Sequence, residues 1–352
     1  MLAAGTTSAS SAKAAAPTPD STAEWREIVG PVRPFLSAVA DRLEGQVGQF
    51  EPEIIEHARY ALVSRGKQLR PALVGLAASA AGRLADEHVT VAAIIEMIHL
   101  ATLVHDDVMD DAQVRRQRPT LALRCGNSTS ILLGDALFAH ALTMAAGFPT
   151  PALCRAVAAA TKTVCSGEII QTERRCQFEL TREGYYRILR MKTAELFGLA
   201  CEQGAVYAGA GEAIQRRLRE YGMALGTAYQ IYDDCLDLLG SEAAAGKSLG
   251  TDLLSGKPTL PVLIALERAD AAEQAALKDL LADWRPENRP LLFAILERHE
   301  AVTESGEVVR AMCGQAADQL APLPGGPARA ALERAAQFLV RQTARLTHRT
   351  RP

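Results

Sequence analysis

The sequence predicts an all-α fold, a single-domain helical bundle whose functional side chains face inward. Three observations predict it. Apolar residues recur at helical spacing almost throughout, and alternating β-branched runs bounded by turns are absent. Ala and Leu dominate, with Pro and Gly mainly at segment ends. Two Asp-Asp-x-x-Asp segments, starting at Asp106 and at Asp233, each close a long apolar stretch. Residues four apart share a helical face, so each segment aims carboxylates one way. Bundles build their sites from side chains of this kind on facing helices.

Residues 1–22 are Ala, Ser, Thr and Pro with almost no large apolar side chains, and read as a disordered tail. They lack the apolar centre of a secretory signal, and no arginine, as a transit peptide would carry, occurs before Arg26. Order is expected from Trp25, with an all-helical domain over 25–350. Helices are predicted over 25–47, 51–63, 69–82, 87–111, 127–146, 151–175, 181–206, 211–241, 258–268, 271–283, 288–299, 302–320 and 326–347. No repeat period shows, and the Pro-Gly segment 322–327 is short enough for a helix–helix turn.

The formal net charge of −3 over 352 residues does not point to nucleic acid as a partner. A hydrophobic share of 48% suffices for a large core. No apolar run reaches the ~18 charge-free residues that a membrane span needs. The stretch Val89–Val104 comes closest, but Glu96 and His99 interrupt it, so it reads as a buried core helix. The seven cysteines are odd in number and contain no CxxC pair, which argues against a disulfide framework or zinc site and for a cytoplasmic location.

The chemistry begins at Gly66-Lys67-Gln68-Leu69-Arg70-Pro71, where Lys67 and Arg70 stand at a helix start. Cations there oppose the helix dipole, so an anion shared with free backbone N–H groups explains them better than the dipole does. A solvated basic pair is the plainer alternative. His99 lies seven residues before Asp106 and faces the same side; it is either a satisfied core histidine or a site residue. Asp106, Asp107, Asp110 and Asp111 crowd the negative end of their helix and call for compensating cations; carboxylate oxygens suit Mg²⁺. Arg115 and Arg116 follow within five residues, either as simple charge partners or to hold a phosphate together with metal. Met191-Lys192-Thr193 is a weak signal on its own. Gln230 shares a face with Asp233 and Asp237 in the second cluster. The segment 246–258 is a glycine-broken loop with Lys247 and Lys257. It is not a nucleotide-binding loop: five residues separate Gly240 from Gly246 where four are required, and it follows a helix.

In combination, order and spacing these segments resemble the trans-isoprenyl diphosphate synthases (polyprenyl synthetases), over roughly residues 30–347. The resemblance rests on residues 66–71, on 105–111 with Arg115-Arg116, on Gly134-Asp135, on 191–193, on 230–237 and on Gly256-Lys257-Pro258-Thr259-Leu260-Pro261. Arg65 stands where the family usually has a second Gly, and Tyr229 and Tyr232 replace its usual residues; neither change removes a functional group.

The resemblance implies an isoprenoid synthase fold with a central active-site cavity, a homodimer, and Mg²⁺-dependent head-to-tail condensation of isopentenyl diphosphate with an allylic prenyl diphosphate. About three Mg²⁺ ions are implied, with Asp106 and Asp110 holding two, Asp107 supporting them, and Asp233, in the cluster with Asp234 and Asp237, holding a third. Arg115, Lys192, Thr193, Gln230, Lys247 and Lys257 are implied for the allylic diphosphate, and Lys67, Arg70, His99 and Arg116 for isopentenyl diphosphate.

Short-chain members of the family often carry an aromatic plug in the turn before the first motif. Here Ala101 and Thr102 occupy that turn, with Ile98 below. A helical turn rises ~5.4 Å, close to one isoprene unit, so a product of about six or more units is expected. A short-chain (farnesyl or geranylgeranyl) synthase and a non-catalytic regulatory subunit of a two-component synthase are the alternatives. Transient membrane contact for product release is compatible with the absence of a spanning segment.

Overall fold

A computed structural model describes residues 21–63, 66–116, 118–240 and 250–349. The helices are α1 (Ser21–Ile28), α2 (Arg33–Gln46), α3 (Ile55–Leu62), α4 (Leu69–Ala81), α5 (Asp86–Met109), α6 (Leu121–Cys125), α7 (Asn127–Ala146), α8 (Ala152–Glu173), α9 (Arg182–Leu189), α10 (Glu195–Tyr207) and α11 (Glu212–Leu239). They continue as α12 (Thr251–Leu254), α13 (Leu260–Arg268), α14 (Ala271–Ala282), α15 (Arg289–Arg298), α16 (Ala301–Gln319) and α17 (Pro327–Arg349). A two-residue ribbon, β1 (Val114–Arg115) with β2 (Arg118–Pro119), is the sole sheet among the described residues. The fold is all-α and a single domain, as the periodicity predicts.

The bundle is wound around α5. Residues 91–98 of that helix are all buried, which is why its apolar residues ring it completely rather than forming a stripe. It packs on α2, α4, α7 and α10, while α10 lies between α4 and α11. The helix starts at Asp86, where the His88 imidazole takes the place of a capping carboxylate. Its Nδ1 accepts from Ala85 N–H at 3.0 Å, and its Nε2, 3.1 Å from the Gly204 carbonyl, ties α5 to α10. Two helices, α5 and α7, are long and apolar enough by length and composition to cross a membrane. Each carries charge within that length (Glu96 in α5, Asp135 in α7), and α5 is a core helix of the bundle.

Most helix boundaries follow the expected ones within a few residues, but 25–47, predicted as one helix, is α1 and α2 separated by a 3-10 turn at Gly30–Val32, where Pro31 and Pro34 lack the N–H that a continuous helix needs. The other differences lie where sequence period carries no signal. Residues 181–206, predicted as one helix, are α9 and α10 joined by a π-helical turn at Arg190–Ala194. The five-residue α6 and four-residue α12 are too short to show a period. Helix α1 begins at Ser21, inside the segment read as a tail; residues 1–20 lie outside the described residues.

Candidate active site

The last turn of α5 carries the first acidic cluster, and each carboxylate has its own cationic partner. Asp107 is buried and accepts from Arg115 Nε at 2.5 Å. Asp110 Oδ1 accepts from both Lys257 Nζ at 2.9 Å and Arg175 at 3.2 Å. Asp106 faces Lys192, which itself pairs with Glu168 and donates to Gln171 Oε1 at 2.9 Å. Burial pushes the Asp106 carboxyl up to about 6, against the pull of Lys192. Burial works the same way on Asp110, but Lys257, Lys192 and Arg175 outweigh it and hold that carboxyl below the usual range. Burial disfavours the Lys192 charge, yet Asp106 and Glu168 keep its pKa above the ordinary value.

The π-turn at Arg190–Ala194 contains Lys192 and Thr193. The extra residue in such a turn rotates the helix face, and π-bulges recur at functional sites for that reason. Thr193 Oγ1 donates to Gln230 Oε1 at 2.8 Å, and Gln230 Nε2 donates to Asp234 Oδ1 at 2.8 Å. The second cluster, at the end of α11, is employed differently from the first. Asp234 also accepts from the buried Tyr185 hydroxyl at 2.6 Å. Asp237 accepts from Thr251 Oγ1 and from Asp252 N–H, both at 3.1 Å, and so anchors the start of α12. Asp233 acts electrostatically on Lys67, which brings the start of α4 toward the end of α11. Lys247 falls in 241–249, outside the described residues.

A second basic group lies on the other side of Arg115. Arg116, at φ +53°, lays its guanidinium against Gly66, in the space a Cβ there would take, so the two basic segments meet. Gln68, at φ +48°, turns the chain into α4, and Trp25 Nε1 fixes that turn by donating to the Lys67 carbonyl at 2.9 Å. Arg70 is buried with its guanidinium 4.9 Å from the centre of the Phe197 ring. Glu96 is buried opposite Arg70 and Arg116, and burial raises its pKa against their pull. His99 is held well below its ordinary value by burial, reinforced by Arg70, Arg116 and Arg115, so it is neutral at pH 7. Lys67 sits at the rim, its surface open to solvent while desolvation by the surrounding walls lowers its pKa.

The ribbon aims the arginines. Arg118 and Arg124 each stack on the Tyr60 ring at 4.0 Å, and the Tyr60 hydroxyl donates to the Pro119 carbonyl at 2.6 Å. This clasp fixes the hairpin that presents Arg115 and Arg116. Below Asp106 on α5, Ala101 and Ile98 have no exposed surface, and Thr102 donates its hydroxyl to the His99 carbonyl at 2.7 Å. The structure thus brings Asp106, Asp107, Asp110, Arg115, Lys192 and Lys257 together, and Lys67, Arg70, His99 and Arg116 together beside them.

Four residues of the site lack a sequence motif that points to them: Glu168, Gln171, Arg175 and Tyr185. Glu168 and Gln171 are three apart on α8, a spacing that puts two polar side chains on one face of the helix, but other polar residues along α8 mask that signal. Arg175 follows the end of α8, where an arginine is expected for the dipole alone. Tyr185 sits among core positions and gives no signal.

The family model for polyprenyl synthetase matches residues 51–297. The chain is 32% identical over 292 residues to an octaprenyl diphosphate synthase of Haemophilus influenzae, covering 83% of this chain and 89% of that protein. Among solved structures it is similar to a decaprenyl diphosphate synthase from Rhodobacter capsulatus, with a TM-score of 0.84 and 33% identity over 91% of this chain and 99% of that one. It is equally similar in fold to a polyprenyl synthase from Caulobacter crescentus complexed with calcium and isoprenyl diphosphate, with a TM-score of 0.84 and 32% identity over 91% of this chain and 97% of that one. The chain belongs to the polyprenyl synthetase family.

Proposed function

We propose that this protein is a Mg²⁺-dependent long-chain polyprenyl diphosphate synthase, which condenses isopentenyl diphosphate head-to-tail with an allylic prenyl diphosphate. The observation that carries the reading is two separate cationic groups, Lys192 and Lys257 on Asp106 and Asp110, and Arg70 with Arg116 around Glu96 beside Lys67. Two diphosphates require two such groups; a terpene cyclase, with one, does not.

The donor set fits Mg²⁺. Asp106 and Asp110 offer hard oxygens one helical turn apart, and among the described residues no three His, Cys, Asp or Glu side chains form a complete protein cage. Mg²⁺ is held in that way, by one or two carboxylates with waters and substrate phosphates. Asp106, Asp110 and Asp233 are the ligands we favour, with Asp107, Asp234 and Asp237 holding the surroundings in place. The ions, about three by family resemblance, supply charge neutralisation for the departing diphosphate.

Lys192, Lys257, Arg115, Thr193 and Gln230 hold the allylic diphosphate and stabilise its growing negative charge as it leaves. Lys67, Arg70, His99 and Arg116 hold isopentenyl diphosphate so that its double bond faces the allylic carbon. The walls of α5 and its neighbours exclude water from the allylic cation. The released diphosphate is the proton acceptor we favour, since Asp106, Asp107, Asp110 and Glu168 are each engaged with a cation. The path we favour for the tail is past Thr102 and Ala101 toward Ile98, a turn of α5 that carries no aromatic residue.

Incubation with Mg²⁺, farnesyl diphosphate and labelled isopentenyl diphosphate should give products of about six or more isoprene units. Recovery of the primer alone contradicts elongation, and products ending at geranylgeranyl length select a short-chain synthase. Ala101→Phe should shorten the product; an unchanged length distribution refutes the tail path.

A homodimer is the assembly we favour. Ile131 and Leu132 on α7 are 43% and 68% exposed, and Ile169 on α8 is 59% exposed, apolar surface suited to a second copy. Light scattering that returns the mass of one chain would remove this proposal. All seven cysteines are free, which supports a cytoplasmic location.

A further inference from the structure

Arg175 belongs to no segment that the family resemblance rests on, yet it ends on the same oxygen as Lys257. Both donate to Asp110 Oδ1, at 3.2 Å and 2.9 Å. The two residues come from distant parts of the chain and are fastened together through their backbones. Cys176 N–H donates to the Gly256 carbonyl at 2.7 Å, which sets Arg175 and Lys257 side by side. Gly256 has φ +66°, and a Cβ there would strike the Cys176 sulfur, so the fastening requires glycine. The Lys257 turn is fixed in turn to the second acidic cluster. Lys257 N–H donates to the Asp252 carbonyl at 2.8 Å, and Asp252 N–H donates to Asp237 at 3.1 Å. A continuous path of hydrogen bonds therefore runs from Asp237 through the 252–257 turn to Arg175 and back to Asp110.

Two full cations on one carboxylate oxygen are more than that carboxylate needs. Arg175 makes one hydrogen bond there, and its Nε is buried without a hydrogen-bond partner. A guanidinium satisfied at one position and orphaned at another is poised for a larger anion that can take a forked pair of bonds. A diphosphate held over Asp106 and Asp110 is such an anion.

We propose that Arg175 is a further diphosphate-binding residue, one that pairs with Asp110 and is transferred to the allylic diphosphate when a divalent cation takes that carboxylate. The inference rests on the function proposed above. Arg175 and Lys257 both pair with Asp110 and so compete with metal for it. Once metal binds, both cations turn to the phosphate oxygens, and the Cys176–Gly256 fastening carries them together. Metal and diphosphate therefore bind with positive coupling.

The test is calorimetry on the full chain with Mg²⁺ alone and with inorganic diphosphate plus Mg²⁺, for wild type, Arg175→Gln and Arg175→Lys. Arg175→Gln should bind Mg²⁺ alone about two- to tenfold more tightly, because a competitor is gone, and bind diphosphate with Mg²⁺ about ten- to a hundredfold more weakly, because charge-assisted bonds are lost. Arg175→Lys should restore part of the diphosphate affinity. A purely structural arginine would weaken both affinities together and lower the melting temperature, and that result overturns the proposal. Unchanged diphosphate affinity in Arg175→Gln also overturns it, while wild-type binding leaves the proposed function standing. Failure of the wild type to bind diphosphate with Mg²⁺ overturns both.

Discussion

At the end of α5, Asp106 and Asp110 face Lys192, Lys257 and Arg175. At the end of α11, Asp234 and Asp237 face Tyr185, Gln230 and the backbone of the 251–252 turn. The letters are the same, Asp-Asp-x-x-Asp, and so is the position at a helix end. Among the described residues, what differs is the kind of partner. Cations on long side chains leave a carboxylate when a stronger charge arrives. A buried tyrosine and a backbone N–H are fixed, and a carboxylate bound to them is part of the framework. The first cluster is built to exchange partners, whereas Asp234 and Asp237 of the second hold the framework around it.

The largest expected effect sets the clusters apart. Asp106→Ala should lower kcat by about a thousandfold or more, since it removes a ligand for the charge that drives diphosphate departure. Its circular dichroism should stay that of the wild type; near-normal turnover would end the metal assignment. Asp237→Ala should do the reverse. It removes a charged cap from the 251–252 turn, so the melting temperature should fall by the equivalent of about 2 kcal/mol. Turnover should fall only about tenfold as Lys257 loses its place. If Asp237→Ala is as inactive as Asp106→Ala with unchanged stability, the distinction between the clusters fails.

Tyr185→Phe sharpens the same contrast with a smaller change. It removes a buried hydroxyl donor from the Asp234 carboxylate, at about 1–2 kcal/mol of stability, read by urea unfolding. Unaltered stability would show that Asp234 is not a framework group.

Asp106 gives the opposite sign. Its carboxyl, at about 6, lies above the ordinary 3.8. Between those values the metal-free folded protein binds more protons at this group than the unfolded chain does, so its contribution to stability falls as pH rises through that window. Asp106→Asn should therefore stabilise the metal-free protein at pH 7, by about 1–3 kcal/mol, and by less at pH 5. Equal effects at the two pH values would contradict the burial of that charge. The smallest effect is expected outside both clusters. His99→Gln removes a neutral side chain, so KM for isopentenyl diphosphate should rise several-fold, by about 1 kcal/mol, with kcat nearly unchanged.

The sequence made the helices and the motifs legible because both are short-range signals. Asp106 and Asp110 share a face by spacing alone, and the periodicity of residues 87–111 places them at a buried helix end. The employment of each carboxylate was not legible. Asp237 and Asp110 have the same local pattern, and only folding brings Thr251 to one and Arg175 to the other. The π-turn that presents Lys192 is equally silent, since one extra residue in a turn leaves the apolar period of 181–206 nearly intact. Arg175 was hidden for a different reason: a cation just after a helix end already has an adequate explanation in the dipole.

The most direct measurement is a crystal structure of the enzyme with Mg²⁺ and inorganic diphosphate. Metal ions are expected on Asp106, Asp110 and Asp233, with Asp234 still on Tyr185 and Asp237 still on Thr251 and Asp252. Metal on Asp234 and Asp237, with those hydrogen bonds broken, would contradict that assignment.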